Sequence, residues 1–151
     1  PRPSTSVVME TADKNRSIND LEERYILEYI KLDSTKTYMQ SEHGFWYTYI
    51  QKIEQEQPMP NSGDIVTLSY NISNLKDEVL YTKEELGIRK YKVDKEDFIR
   101  GLQEGIKLMK EGETVTFILP YYNAFGVSGD YDRIGINQSI KSTVSLININ
   151  Q

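Results

Sequence analysis

The chain has 151 residues, 38% of them apolar and 27% charged, and its 18 basic and 23 acidic side chains give a formal net charge of -5. That is one domain's worth of chain with enough apolar matter for a core. It carries no run of the roughly 18–20 apolar residues that spans a bilayer as a helix, and no basic stripe of the kind that binds nucleic acid. With no Cys and a single His, His43, the sequence excludes disulfides, thiol nucleophiles and Cys- or His-rich metal sites.

In chain order, residues 1–16 are polar and without period, and read as a flexible leader; the chain opens on Pro1, as a processed chain would. A helical extension is expected over 17–40. Asn19 and Glu22 fit its N-cap and third position. Ile18, Leu21, Tyr25, Tyr29 and Leu32 recur at spacings of 3, 4, 4 and 3, one helix face, widened by Ile26 and Ile30. That face packs on the main domain or on a second copy, and so short a stripe favours the domain.

The main domain is expected over 41–151. Phe45 to Ile50 is aromatic and β-branched, hence a strand. Residues 54–64 are a turn-rich connection. Ile65 to Ile72 is a strong strand, 75–78 a hairpin turn, Val79 to Tyr81 the return. Residues 83–87 read as a loop, with a helical turn as the alternative, and Tyr91 to Val93 as a short strand. Asp97 to Lys110 reads as a helix with Phe98, Ile99, Leu102, Ile106 and Met109 on its apolar side, stopped by Gly112. Gly101 and Gly105 inside it each cost about 1 kcal/mol of helix propensity, and close approach of another backbone or a ligand would explain them. Thr114 to Leu119 is a strand ended by Pro120, residues 120–139 are a long loop, and Ile140 to Ile149 closes the chain. The order is that of an α+β domain, one helix against an antiparallel sheet.

Motifs for nucleophilic, phosphate-binding or zinc chemistry are missing. Asp130-Tyr131-Asp132 followed by Gly135 has the start of a calcium loop, but Ile134 and Lys141 stand where oxygen ligands belong. Neither metal nor cofactor is expected. The mixed-sign runs 92–96 and 107–113 read as solvated faces.

Three spaced motifs then fall in order: Pro60-x-x-Gly63-Asp64-x-Val66-x-x-x-Tyr70; Phe98-Ile99-Arg100-Gly101-Leu102-x-x-Gly105-x-x-x-Met109-x-x-Gly112-Glu113; and Pro120-x-x-x-Ala124-Phe125-Gly126-x-x-Gly129 with Ile134, before a last strand containing Val144. Over about residues 41–149 this resembles the FKBP class of peptidyl-prolyl cis–trans isomerases. The resemblance implies an FKBP-like antiparallel sheet wrapped around one short helix. His43-Gly44-Phe45-Trp46-Tyr47, the run from Met109 to Phe117, Ile140 to Val144 and the preceding helix are most similar to the gliding-motility-associated branch of Bacteroidetes. That likeness implies a periplasmic-side envelope lipoprotein whose anchor lies upstream of this chain, with gliding or secretion machinery among its partners.

By resemblance the clients are proline-containing polypeptides. The catalytic positions are Tyr70, Tyr81, Ile99, Leu102 and Phe125, with Leu80, Tyr91, Phe98, Ile134 and Ser142 binding substrate around them. Ile99 would offer its backbone N–H to a substrate carbonyl, and Leu102 would form the floor. Three positions depart from the family pattern: Tyr81 replaces an Asp that faces the pocket, Phe125 lacks the usual Tyr hydroxyl, and Ser142 replaces an aromatic ring, which widens or wets that wall. These departures imply weakened catalysis and weak binding of the family's drugs. They leave open a non-catalytic peptide-binding or assembly module, or a chaperone that holds clients without isomerising them.

Overall fold

The computed structural model describes residues 5–150, with side chains from Lys14 onward, Asn15 excepted. Residues 1–4 of the expected leader therefore lie outside the described residues, and from Thr5 onward its backbone is not a flexible leader but part of the first helix. The elements are α1 (Thr5–Leu32), β1 (Met39–Gln40), β2 (Trp46–Gln51), β3 (Ile65–Tyr70), β4 (Ile72–Ser73), β5 (Val79–Tyr81), α2 (Lys83–Leu86), β6 (Arg89–Lys92), α3 (Arg100–Gly105), β7 (Thr114–Leu119) and β8 (Ile140–Ile149), with 3-10 turns at Ile106–Leu108 and Tyr121–Asn123.

The strands form one antiparallel sheet in the order β1-β2-β7-β8-β3-β6, with β4 bridging β8 and β5. Alternation sets its inner face. In β8 the residues Ile140, Ser142, Val144 and Leu146 point inward, and Val144 and Leu146 meet Tyr70 and Leu68 of β3 in register. The sheet curls over α3, so that Leu102, Ile106 and Met109 are fully buried among Val66, Leu68, Phe117 and Val144. This is the α+β, FKBP-like arrangement.

Two expectations about α3 need correction. The helix starts at Arg100 rather than Asp97, because Ile99 stays extended, at φ -57° and ψ 125°, and with Phe98 it lines the cavity described below. Gly112 does not stop it. Met109 is already extended, and Gly112, at φ +91°, makes the turn into β7. Both helical glycines are closely approached, but mainly by side chains rather than by the backbone or ligand expected, with a backbone oxygen near Gly101 alone. A Cβ on Gly105 would lie 2.6 Å from the Phe117 ring, and one on Gly101 2.6 Å from Leu119 and 3.0 Å from the Asn123 carbonyl oxygen.

α1 packs on the outer face of its own sheet, where Ile26, Tyr29 and Ile30 cover Trp46 of β2 and Ile118 of β7, themselves register partners. The face differs from the expected stripe. Leu21, Tyr25 and Leu32 are exposed, and Glu22 takes an inner position because Ser139 donates a hydrogen bond to its Oε2 at 2.7 Å. Nor does Asn19 cap the helix. It lies mid-helix, and its side-chain oxygen accepts from the Tyr121 hydroxyl. Among the described residues no helix is long and apolar enough to cross a membrane.

Candidate active site

The ends of β3, β4 and β5, the start of β6, the approach to α3 and the loop after β7 converge on one cavity of about 420 Å3. Five expected site residues line it: Tyr70, Tyr81, Phe98, Ile99 and Phe125. Ile72, Leu86, Arg89, Asp97, Ala124 and Asp130 complete the wall. A larger hollow of about 660 Å3 lies between α1 and the 74–78 turn, but none of the expected site residues reaches it.

An aromatic corner forms one side. The Tyr70 ring meets Phe98 edge-on at 5.2 Å between centroids, and Tyr91 backs Phe98 at 5.1 Å. The Arg89 guanidinium lies 4.4 Å over the same ring, and its Nη2 donates to the Asp97 carbonyl at 2.6 Å. Gln103 Nε2 donates to the Phe98 carbonyl at 2.7 Å, which fixes the entry into α3. The Ile99 carbonyl takes the Leu102 and Gln103 amides. Its own N–H meets no acceptor among the described residues, and it sits just before α3, on the wall of a mostly apolar hollow.

The remaining five expected residues are not part of the lining. Leu102 is fully buried on the inner side of α3, in the core and not in the cavity lining. Tyr91 is also fully buried, and its hydroxyl accepts from the Asp94 amide at 3.1 Å. Leu80 presents its carbonyl to Arg133 at 2.7 Å. Ile134 is 2% exposed and directs its amide to Asp130. Ser142 is 0% exposed, pairs across the ladder with Phe117 and donates to the Asn71 carbonyl at 2.6 Å. Its hydroxyl is thus satisfied inside the sheet, so it neither widens nor wets the cavity wall.

Asp130 is the site residue that the sequence hides most completely. The Tyr81 hydroxyl donates to its Oδ2 at 2.5 Å, and the Asp132 and Ile134 amides donate to its Oδ1. Burial works to raise the Asp130 pKa, but the hydrogen bonds from Tyr81 and the two amides outweigh it and hold the carboxyl below its ordinary value. The same bond to Asp130, then burial, pushes the Tyr81 phenol up. The Asp-x-Asp spacing was visible in the sequence, but only the folded loop shows that the first carboxylate is spent on its own backbone. No metal-holding cluster of acidic or His side chains occurs among the described residues.

Comparison with known proteins gives this cavity its context. Residues 56–147, more than half the chain, match the family of FKBP-type peptidyl-prolyl cis-trans isomerases. The chain belongs to that family. It is 29% identical over 127 residues to the probable FKBP-type isomerase FkpA of Neisseria meningitidis serogroup B. The match covers 84% of this chain and 44% of that one, so the chain spans less than half of that relative's length. Its fold is similar to the crystal structure of FkpA from Escherichia coli, with a TM-score of 0.71 at 18% identity over 99% of this chain and 74% of that one. It is equally similar to a peptidyl-prolyl cis-trans isomerase from Pseudomonas syringae pv. tomato, with a TM-score of 0.71 at 16% identity over 90% and 96% of the two chains. Every residue of the cavity lies within the FKBP-matching segment.

Proposed function

We propose that the protein is a peptidyl-prolyl cis–trans isomerase acting on polypeptide clients, with the cavity under Tyr70, Phe98, Ile99 and Phe125 gripping the prolyl ring. The observation that carries this reading is the unpaired Ile99 N–H on the wall of an aromatic hollow, within the family-matching segment. Turning an Xaa-Pro bond meets a barrier of about 18–20 kcal/mol and takes tens of seconds or longer unaided. No bond breaks, so neither nucleophile nor metal is required. The protein has only to bind the twisted imide better than the planar one. An apolar wall disfavours the charge-separated planar form, and the Ile99 N–H, already placed, holds a flanking carbonyl through the rotation.

Clients of the cell envelope fit the likeness to the gliding-motility branch, which also suggests a lipid anchor upstream and gliding or secretion machinery as partners. Phe125 supports a second reading, a proline-peptide binding module, because a ring without a hydroxyl binds proline but offers no hydrogen bond.

The test is NMR exchange on a short Xaa-Pro peptide, with no coupling protease present. Isomerisation that drops at least tenfold in Tyr70→Ala is the expected result. Peptide shifts without accelerated exchange would favour the binding module, and neither shifts nor exchange would sink both readings.

A further inference from the structure

The family pattern places a carboxylate at position 81 and a tyrosine hydroxyl at position 125, whereas this chain has Tyr81 and Phe125. The cavity nevertheless holds both groups, with the two walls exchanged. Tyr81 on β5 supplies the phenol, and Asp130, further along the loop that carries Phe125, supplies the carboxylate; the two meet at 2.5 Å. Asp130 is built into its place. Its Oδ1 accepts the Asp132 and Ile134 amides at 3.0 and 2.8 Å, and its own amide donates to the Ile134 carbonyl at 3.2 Å. Gly129, at φ +70°, lets this turn close, since a Cβ there would run into the Gly135 carbonyl oxygen at 2.5 Å. Arg133 lies 4.6 Å over the Tyr81 ring and donates to the Leu80 carbonyl and to Glu85, both at 2.7 Å. The loop is thereby tied to β5 and to α2.

We propose that Asp130 is a positioning residue of this site: through Tyr81 it latches the loop to β5 and holds the phenol proton to itself, so that the wall presents the client with a hydrogen-bond acceptor. An ionised carboxylate can only accept, so the phenol must donate to it, and the lone pair left on the phenol oxygen faces bonding partners as an acceptor. The exchanged pair therefore selects a peptide N–H near the proline and disfavours ligands that bring carbonyl oxygens to that wall. This inference rests on the isomerase reading, and the test separates the two.

Asp130→Asn reverses the polarity of the pair. The Asn oxygen still serves the Asp132 and Ile134 amides, its NH2 faces the phenol and must donate, and the phenol proton is released toward the cavity. Tyr81→Phe keeps the ring under Arg133 and removes the hydroxyl altogether. The groups facing the phenol are Asp130 and Asp132 on the loop, Arg133 over its ring, Glu85 on α2 behind Arg133, and Arg89 and Asp97 across the cavity; the Asn variant changes the charge of Asp130 alone.

Exchange rates on an Xaa-Pro peptide fall about threefold to tenfold in both variants, the size of one lost hydrogen bond. Binding of an α-ketoamide of proline, a dicarbonyl probe, tightens at least about threefold in Asp130→Asn and not in Tyr81→Phe, as expected for a donor restored to the wall. The Tyr81 phenol, followed by the NMR shift of its Cζ, ionises at lower pH in Asp130→Asn. A merely structural latch would make the two variants alike toward the probe, and that result overturns the proposal. So do peptide rates within twofold of the parent in both, or an unmoved Tyr81 ionisation. If the parent itself isomerises nothing, the isomerase reading fails, while the phenol titration and probe binding still decide the polarity of the pair.

Discussion

Glu113 is 1% exposed, yet its carboxylate has work on both oxygens. Oε2 accepts the Ile53 amide at 3.0 Å and Oε1 the Lys110 amide at 2.7 Å. A buried amide left without an acceptor costs about 1–3 kcal/mol, so Glu113→Ala is expected to lose about 2–4 kcal/mol in urea unfolding, and Glu113→Gln, which keeps one acceptor, roughly half of that. Gly105 is the opposite case, a residue defined by what it lacks. Alanine there gains about 1 kcal/mol of helix propensity, but its methyl would sit 2.6 Å from the fully buried Phe117 ring, and overpacking costs about 1–3 kcal/mol. The clash wins, and Gly105→Ala is expected to lower the urea midpoint; a raised midpoint would mean that Phe117 can yield. The glycine pair was legible in the sequence because two glycines in one short helix contradict its propensity. Glu113 was visible only as part of a motif, since its partners come from two different turns. Asp130 was misjudged for the same reason: spacing suggested a failed metal loop, and only backbone folding gives its oxygens their donors.

The helix α1 shows how an element can be legible while its orientation is not. Apolar spacing found the helix but favoured Leu21, Tyr25 and Leu32, and the buried side instead runs through Ile26, Tyr29 and Ile30. The difference is set by partners far along the chain: Ser139 for Glu22, and Asp77 and Lys141 for Tyr29. Lys141 Nζ donates to Asp77 at 2.5 Å and to the Tyr29 hydroxyl at 2.8 Å. The Lys141 ammonium, then the Tyr29 hydroxyl, hold the Asp77 carboxyl below its ordinary value. Burial works to lower the Lys141 pKa, but its bonds to Asp77 and Tyr29 outweigh that and raise it. The depressed Asp77 contributes stability above its unfolded pKa of about 3.9 and loses it as pH falls through the folded value. The raised Lys141 contributes below about 10.4 and loses it as pH rises through its folded value. Docking of α1 is therefore flat through neutral pH and weakens at both extremes. The single Trp, Trp46, is 7% exposed beneath α1, so its emission reports the docking directly. A red shift is expected in acid and in strong alkali, with the alkaline limb lost and the acid limb reduced in Lys141→Met, where the Tyr29 hydroxyl still donates to Asp77; an emission curve unchanged by that substitution would remove the cluster from the account. Ile26→Ala, a fully buried truncation worth about 2–4 kcal/mol, should shift the emission at neutral pH.

The sheet order places the last strand, β8, between β7 and β3, with β4 on the same side as β3. No local pattern announces this. Alternation marks residues 140–149 as a strand, but which neighbours it joins depends on long-range register, and the family resemblance implied an antiparallel sheet around a helix without giving its strand order. The consequence is a chain whose final segment completes its core: Val144 and Leu146 pack against β3 and α3. By contrast α1 covers the outer face, over Trp46 and Ile118, and none of its described residues lines the cavity. The two ends should therefore fail differently. Removing residues 140–151 leaves β3 and β7 each without a central partner and opens the core, and the product is expected to show no near-ultraviolet dichroism and no cooperative urea transition. Removing residues 1–36 uncovers an apolar strip but leaves every ladder intact. That shortened chain is expected to fold with a lower urea midpoint and to isomerise an Xaa-Pro peptide within about threefold of the full chain, because the cavity is lined from β3 to β6, the approach to α3 and the 124–130 loop. The bond lost between the Tyr121 hydroxyl and Asn19 leaves in place the Tyr121 carbonyl that holds the Ala124 and Gly126 amides. This treats residues 41–151 as a self-sufficient unit with α1 as a cover. A shortened chain that folds but loses the activity of its parent would instead make α1 part of the machinery that shapes the site.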